Sequence, residues 1–413
     1  MATKIDYRDL YERWEKGNWS ATGLDFAQDK TDWSERFTDF ERKAAIWNYS
    51  MFFHGEDSVA DNLSPYIDAA PHEEQKYFLT TQQVDEARHA VFFARFMREV
   101  VGLGSEDVAS GLEATRPDLS WGFRKVFARL DQMADELRKD RSRPKLAAAI
   151  TMYHFVVEAT LAQPGQHFIE GYIKERGVLP GFTEGMTNVS LDEQRHIGFG
   201  VRCLYDLNRE DPDCAHAVAD LLREVVPYAV GVFVPPGWDE RYVTTFGKTI
   251  EEVFEEGMMS LESKLRAAGL PIDSLPGAPV FPRGLDAKER TARALKLLRS
   301  NYLGEKLGPP SRDPDSVAVL FDVISRSMAD AGRPTTLQWD FEDAEPWYVH
   351  VDNGSTEAKQ GRSPSPDLTL ACRFEDWVDV TAGREDPRRL MLTGRLRPKG
   401  NPLRMWRARA MLP

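Results

Sequence analysis

From Thr38 to Leu207 the apolar positions recur at helical spacing in four long segments, separated by polar or Pro/Gly-containing connections. Such a pattern predicts an all-α antiparallel helical bundle. The first segment opens on Thr38-Asp39-Phe40-Glu41, a capping box, and runs to about Tyr66. The second follows Pro71 and continues to Val101, ahead of Gly102. The third is expected over about Lys145 to Gln163, ending at Pro164-Gly165, and the fourth from Pro180-Gly181 to about Leu207. Two or three further helices are expected between Pro212 and Leu303. Pro271, Pro276, Pro279 and Pro282 mark one candidate linker and Gly308-Pro309-Pro310 a second, where the domain boundary is placed. Beyond it one helix carries Val317, Leu320, Phe321, Ile324 and Met328 on a single face, and then the period switches to two. Leu337/Trp339/Phe341, Trp347/Val349/Val351 and Leu368/Leu370/Cys372/Phe374 alternate as half-buried strands do, with Asn353-Gly354 as a turn. The expectation is a multidomain chain. Residues 1–307 hold the bundle (core 38–207, extra helices 212–303), and residues 308–413 form a small α+β domain whose sheet has one covered face.

Composition narrows the partners. The 413 residues carry 66 acidic and 53 basic side chains, a formal charge of −13, which repels a polyanion; no nucleic-acid partner is expected. Cys203, Cys214 and Cys372 are an odd number without C-x-x-C spacing, which fits neither a disulfide framework nor a thiol zinc site and points to a reducing cytoplasm. The charged start, MATKIDYRDLYERWEKG, lacks the apolar stretch of a signal peptide. The most apolar run, Leu146 to Ala162, is interrupted by His154 and Glu158, so no integral membrane segment is expected.

Chemistry concentrates in the bundle. Of eight histidines only His89 and His196 have a Glu three residues earlier, in the near-identical pentapeptides Asp85-Glu86-Ala87-Arg88-His89 and Asp192-Glu193-Gln194-Arg195-His196. At that spacing carboxylate and imidazole leave one helical face and can bind one metal together. A two-metal carboxylate site needs a further Glu from each of the other two helices. Glu56 and Glu158 stand in those segments among apolar neighbours. Buried carboxylates without a cation cost several kcal/mol or become neutral. Six ligands, Glu56, Glu86, His89, Glu158, Glu193 and His196, suit iron or manganese, and the absence of thiolates argues against structural zinc. Asp85 and Asp192 are available to hold the second ring nitrogen of each histidine, each across the bundle, with Arg88 and Arg195 as their partners; the plainer alternative is a pair of solvated surface ion pairs.

These motifs resemble the ferritin-like di-metal carboxylate superfamily over about residues 30 to 260, and within it the ribonucleotide reductase small subunit and its relatives. The strings Gly55-Glu56-Asp57-Ser58-Val59 and Tyr153-His154-Phe155-Val156-Val157-Glu158 are most similar to the ligand-binding oxidases. That resemblance implies two iron ions, or one manganese and one iron, beside a fatty-acid-like ligand, with O2 as co-substrate. It further implies an oxidatively formed ether bond between Tyr153 and Val59, against which Tyr153 as an ordinary core tyrosine is the alternative. Phe93 stands where radical-storing reductase subunits have their tyrosine, four residues after the first histidine ligand, which disfavours that role. His154, one turn before Glu158, is either an extra ligand or a satisfied buried histidine.

The second domain resembles the sterol carrier protein type 2 fold through Gly383-Arg384-Glu385-Asp386-Pro387, Leu390, Gly394-Arg395-Leu396 and Lys399-Gly400. The resemblance implies a tunnel for an acyl chain or other lipid-like molecule; a structural or dimerising domain is the alternative. Together these readings predict an oxygen-activating di-metal oxidase or oxygenase that acts on an apolar, carboxylate-bearing substrate, served by an electron donor and assembled as a homodimer. An N-oxygenase, hydroxylase or desaturase acting on a biosynthetic intermediate is the first alternative, and a lipid-binding or iron-storing protein the second.

Overall fold

A computed structural model describes residues 4–276, 281–328, 334–352 and 354–400. The chain forms two compact units, one of residues 1–225 with 232–275, the other of residues 226–231 with 276–413. The first unit is helical. Its bundle is built by the helices Asp39–Asn62, Glu73–Phe96 and Pro180–Glu210 and by a continuous helical stretch from Arg143 to Arg176. The expected capping box is present, with Thr38 Oγ1 accepting from the Glu41 N–H and the Glu41 carboxylate accepting from the Thr38 N–H at 2.7 Å. Such a cap contributes about 1 kcal/mol. The first helix stops at Asn62, and Tyr66 falls in a separate short helix, Ser64–Ala69. The second passes into a π turn, Met97–Val101, and ends at Gly102, whose φ of +82° only glycine adopts without strain.

The third ligand-bearing segment differs from expectation. It does not end at Pro164-Gly165: Arg143–Ile150 is α-helical, Thr151–Ala162 is π-helical, and α-helix resumes over Gln163–Arg176 before Gly177. Pro164 follows the switch from i→i+5 to i→i+4 pairing, where the ladder is already interrupted and a missing N–H costs little. Between the second and third segments lies an amphipathic helix, Trp121–Lys139, that the four-helix expectation did not include; it buries Phe123, Phe127 and Leu130 and packs on the Asp39–Asn62 helix, where Phe127 lies against Gly55. Between Pro212 and Leu303 the described residues contain four α-helices, Asp213–Ala229, Arg241–Thr244, Ile250–Ala267 and Ala287–Arg299. No helix of the described residues is long and apolar enough to cross a membrane.

The second unit has a five-stranded sheet in the order β3-β2-β1-β4-β5, with β1 Thr335–Phe341, β2 Trp347–Asp352, β3 Ser355–Gln360, β4 Leu368–Cys372 and β5 Arg397–Gly400. β1 runs antiparallel to β2 and parallel to β4, with Leu337 opposite Val349 and Leu368. The helix Pro314–Ser327 covers one face, where Phe321 stacks on Trp347 at 4.7 Å. The other face is not open along β1. Thr336 and Gln338 are buried there, and the Gln338 amide donates to the Trp339, Trp347 and Gly361 carbonyls. Phe374 does not extend β4 but starts the helix Phe374–Thr381. Asn353 of the expected turn, and Pro279 of the first linker, lie outside the described residues.

The units part at Leu275/Pro276, ahead of the boundary expected at 307/308. Arg384 accounts for this: its largely buried guanidinium donates to the Asn301, Leu303 and Gly304 carbonyls and pairs with Asp379 at 3.1 Å. Arg293 also pairs with Asp322 at 2.5 Å, fastening the helix Ala287–Arg299 to the sheet-covering helix.

Candidate metal centre

Four helical segments deliver one face each to a common interior point. Glu56 comes from Asp39–Asn62, Glu86 and His89 from Glu73–Phe96, Glu158 from the π segment, and Glu193 and His196 from Pro180–Glu210. All six are between 0 and 6% exposed. They form two donor sets able to hold metal ions, Glu56/Glu86/His89/Glu193 and Glu86/Glu158/Glu193/His196, with the ligand atoms of each set within 4.8 Å of one another. Glu86 and Glu193 belong to both.

The electrostatics of this cluster follow from crowding. Burial and neighbouring carboxylates push Glu56 and Glu158 well above the usual carboxylate range, and burial also raises Glu193. Burial works against charge on Glu86 too, but His196 and His89 beside it hold it well below that range. Burial would lower both histidines, yet Glu56 beside His89 and Glu86 beside His196 raise them well above the usual imidazole value. The cluster thus takes up protons as its counter-charge, a role that metal cations fill as well.

The orientation of the imidazoles is specific. His89 Nε2 donates to Asp192 at 3.1 Å and His196 Nε2 lies 3.2 Å from Asp85, so each aspartate serves the histidine of the other helix. Both Nδ1 atoms face the carboxylates. His196 Nδ1 is 3.1 Å from Glu86 and 3.3 Å from Glu158 but has no hydrogen-bond partner, and Glu158 Oε2 and Glu193 Oε2 are likewise buried without one. Unpartnered lone pairs converging in a buried site are what a cation satisfies. Asp85 also accepts from Arg88 at 2.9 Å and Arg195 at 3.2 Å, and Arg195 donates to Asp192 at 2.5 Å. Burial opposes the charge of Asp192, yet the bond from His89 and the Arg195 charge hold its pKa well below normal.

Three partners were not read from the sequence. Trp14 Nε1 donates to Asp85 at 2.9 Å and Trp19 Nε1 to Asp192 at 2.8 Å, from an N-terminal segment with no motif of its own. Gln82 donates to Tyr153 at 3.0 Å and to Glu158 at 2.9 Å. It stands four residues before Glu86 on the ligand face, a spacing that could have flagged it. The Tyr153 hydroxyl donates to Glu86 Oε1, and burial together with Glu158 raises its pKa well above the phenol range. His154 lies in neither donor set; its Nε2 meets Gln82 at 3.1 Å, and burial lowers its pKa to about 3.

Beside the carboxylates is an apolar cavity of about 60 Å³. Phe52, Phe123, Phe127, Val157, Leu161 and Phe233 form much of its wall, and Glu56, Glu86, Glu158 and Glu193 border it. Val59 and Tyr153 line this same cavity.

A helical bundle enclosing two carboxylate–imidazole donor sets defines a ferritin-like di-metal protein. Residues 3–229 match the ribonucleotide reductase small-chain family, and the chain belongs to it. Residues 325–407 match the SCP-2 sterol transfer family. Among solved structures the chain is similar to a variant of an R2-like ligand-binding oxidase with an anaerobically reconstituted Mn/Fe cofactor, at 25% identity and a TM-score of 0.55 over 63% of this chain and 92% of that one. An R2-like ligand-binding oxidase with an aerobically reconstituted Mn/Fe cofactor matches at 24% identity and TM-score 0.56, with the same coverage. One from Sulfolobus acidocaldarius matches at 23% identity and TM-score 0.54, covering 63% of this chain and 89% of that one. The last two likenesses establish fold alone.

Proposed function

We propose that the protein is an oxygen-activating di-metal oxidase holding two iron ions, or one manganese and one iron, and acting on an apolar, fatty-acid-like substrate. The observation that carries this reading is the pair of donor sets sharing Glu86 and Glu193 at the border of an apolar cavity. Glu86 and Glu193 would serve both sites, Glu56 and His89 would complete one, and Glu158 and His196 the other. The Mn/Fe cofactor of the similar R2-like oxidase supports the metal choice. When bound, such a metal pair supplies the reduction of O2 and the oxidising power to attack a C–H bond, with an external donor returning the electrons.

The chain's own residues supply geometry and dryness. Asp192 and Asp85 fix the proton of His89 and His196 on Nε2 and leave each Nδ1 lone pair for the metal. Phe123, Phe127 and Phe233 exclude water from the cavity and give an acyl chain an apolar wall. No cationic side chain lines the cavity, so a substrate carboxylate would find its counter-charge at the metals. Tyr153 holds its proton on the phenol toward Glu86, and Gln82 orients Glu158.

Val59 and Tyr153 are proposed to become joined by an ether bond on aerobic loading. One hydrogen leaves the Tyr153 hydroxyl and one a C–H bond of Val59, and O2 accepts them as two electrons and two protons. Two measurements test the reading. Elemental analysis should find the metal pair in the parent protein and not in the Glu86→Ala/Glu193→Ala variant; a pair retained there removes the site assignment. Mass spectrometry of molecules released from the purified protein should find a fatty acid, whereas a polar amine would favour an N-oxygenase.

A further inference from the structure

The chain is strongly acidic, yet residues 387–413 contain eight Lys and Arg and no Asp or Glu. Five of the eight, Arg388, Arg389, Arg395, Arg397 and Lys399, lie among the described residues, and all five are exposed. In sequence they flank an apolar tip on both sides. The helix Pro387–Leu392 buries Leu390 against its own unit but ends on Met391, 40% exposed, and Leu392, 89% exposed, the most exposed large hydrophobic side chain of the described residues. Arg395 pairs with Asp376 and Arg397 with Glu342, while Arg388 and Lys399 have no ion-pair partner among the described residues.

We propose that this face of the SCP-2-like unit docks reversibly on the surface of an anionic lipid bilayer. Met391 and Leu392 would enter the boundary between headgroups and acyl chains, and the basic residues would meet lipid phosphates and carboxylates. Both halves of the patch select this occupant. A nucleic acid would pair with the arginines but leave Leu392 in water, whereas a bilayer surface satisfies charge and apolar tip together. Docking of this sort is peripheral, and a bilayer is where an apolar ligand for an SCP-2-type domain resides.

The test uses the full-length, metal-loaded protein and sedimentation with vesicles of phosphatidylcholine alone or mixed with phosphatidylserine. Binding is expected to the mixed vesicles at low salt, to weaken steeply with added salt, and to be far weaker on phosphatidylcholine. Arg388→Ser and Lys399→Ser should each lower the partition coefficient about fivefold. Leu392→Asp, at a position too exposed to affect folding, should lower it at least as much while leaving metal content unchanged. Equal binding to both vesicle types, or none to the anionic ones, overturns the proposal. So does binding that heparin abolishes but Leu392→Asp leaves intact, which would make the patch a polyanion site. None of these outcomes depends on the oxidase reading.

Discussion

The imidazole of His154 occupies space opened by a glycine on the neighbouring helix. A Cβ at Gly200 would lie 2.3 Å from His154 Cβ and 2.6 Å from its Cγ, so any other residue there displaces the ring that Gln82 holds beside Tyr153 and Glu158. Gly200→Ala is therefore expected to cost about 1–3 kcal/mol, read as a lower Tm. The same burial makes His154 a determinant of acid stability. Its folded pKa of about 3 lies below the ordinary 6.5, so the unfolded chain binds the extra proton first. The stability that the neutral ring contributes is complete above pH 6.5 and is lost progressively as pH falls toward 3. The gap in Tm between the parent and His154→Gln should accordingly narrow over that window, and a gap independent of pH would contradict the assignment. Asp192 would act on bound metals through His89, whose Nε2 it holds. Asp192→Ala frees the imidazole to rotate and change tautomer, and a loss of about 10–100-fold in metal affinity is expected by titration.

The π segment Thr151–Ala162 decides what reaches the site from its helix. In an α-helix two residues five apart point about 140° away from each other, so Tyr153 and Glu158 would face different neighbours. With i→i+5 pairing they share a face, and both meet Gln82. Deleting Val156 leaves Tyr153 and Glu158 four residues apart, a spacing that an α-helix also brings to one face, so the shortened chain should keep its metal pair in elemental analysis; a helical but metal-free chain would contradict this reading. Apolar periodicity does not distinguish π from α geometry, which is why this segment read as an ordinary helix ending at Pro164. The six candidate ligands were legible because Glu-x-x-His repeats with its flanking Asp and Arg, and because Glu56 and Glu158 interrupt otherwise apolar stretches. Trp14 and Trp19 were not, since nothing local ties an N-terminal indole to an aspartate on a distant helix. Helix Trp121–Lys139 had a legible apolar stripe but no metal-ligating residue to draw attention to it. In the sheet, β3 is polar on both sides and its residues are not buried; only backbone pairing with β2 reveals it.

At the scale of the molecule, the candidate metal centre and its cavity belong to one unit, and the sheet has a core of its own in the other. All six candidate ligands, the Asp85 and Asp192 supports and the cavity wall lie within residues 1–225 and 232–275. A chain shortened to end at Leu275 should therefore fold and keep its metal pair. It should melt at a lower temperature than the full chain, because residues 226–231 pack with the second unit and Tyr228 loses Gly383, which lies against its hydroxyl end. A chain ending at Leu307 makes the sharper comparison. It retains the helix Ala287–Arg299, whose Ala294, Leu295 and Leu298 are buried in the full protein, and the 301–304 carbonyls that Arg384 satisfies, but removes the partners of both. Exposed apolar surface and unpaired backbone make it the more aggregation-prone of the two. Size-exclusion chromatography and metal analysis of both chains decide the boundary. A monodisperse, metal-loaded chain ending at Leu307 beside an aggregated one ending at Leu275 would restore the boundary at the Gly308-Pro309-Pro310 linker and assign residues 276–307 to the bundle.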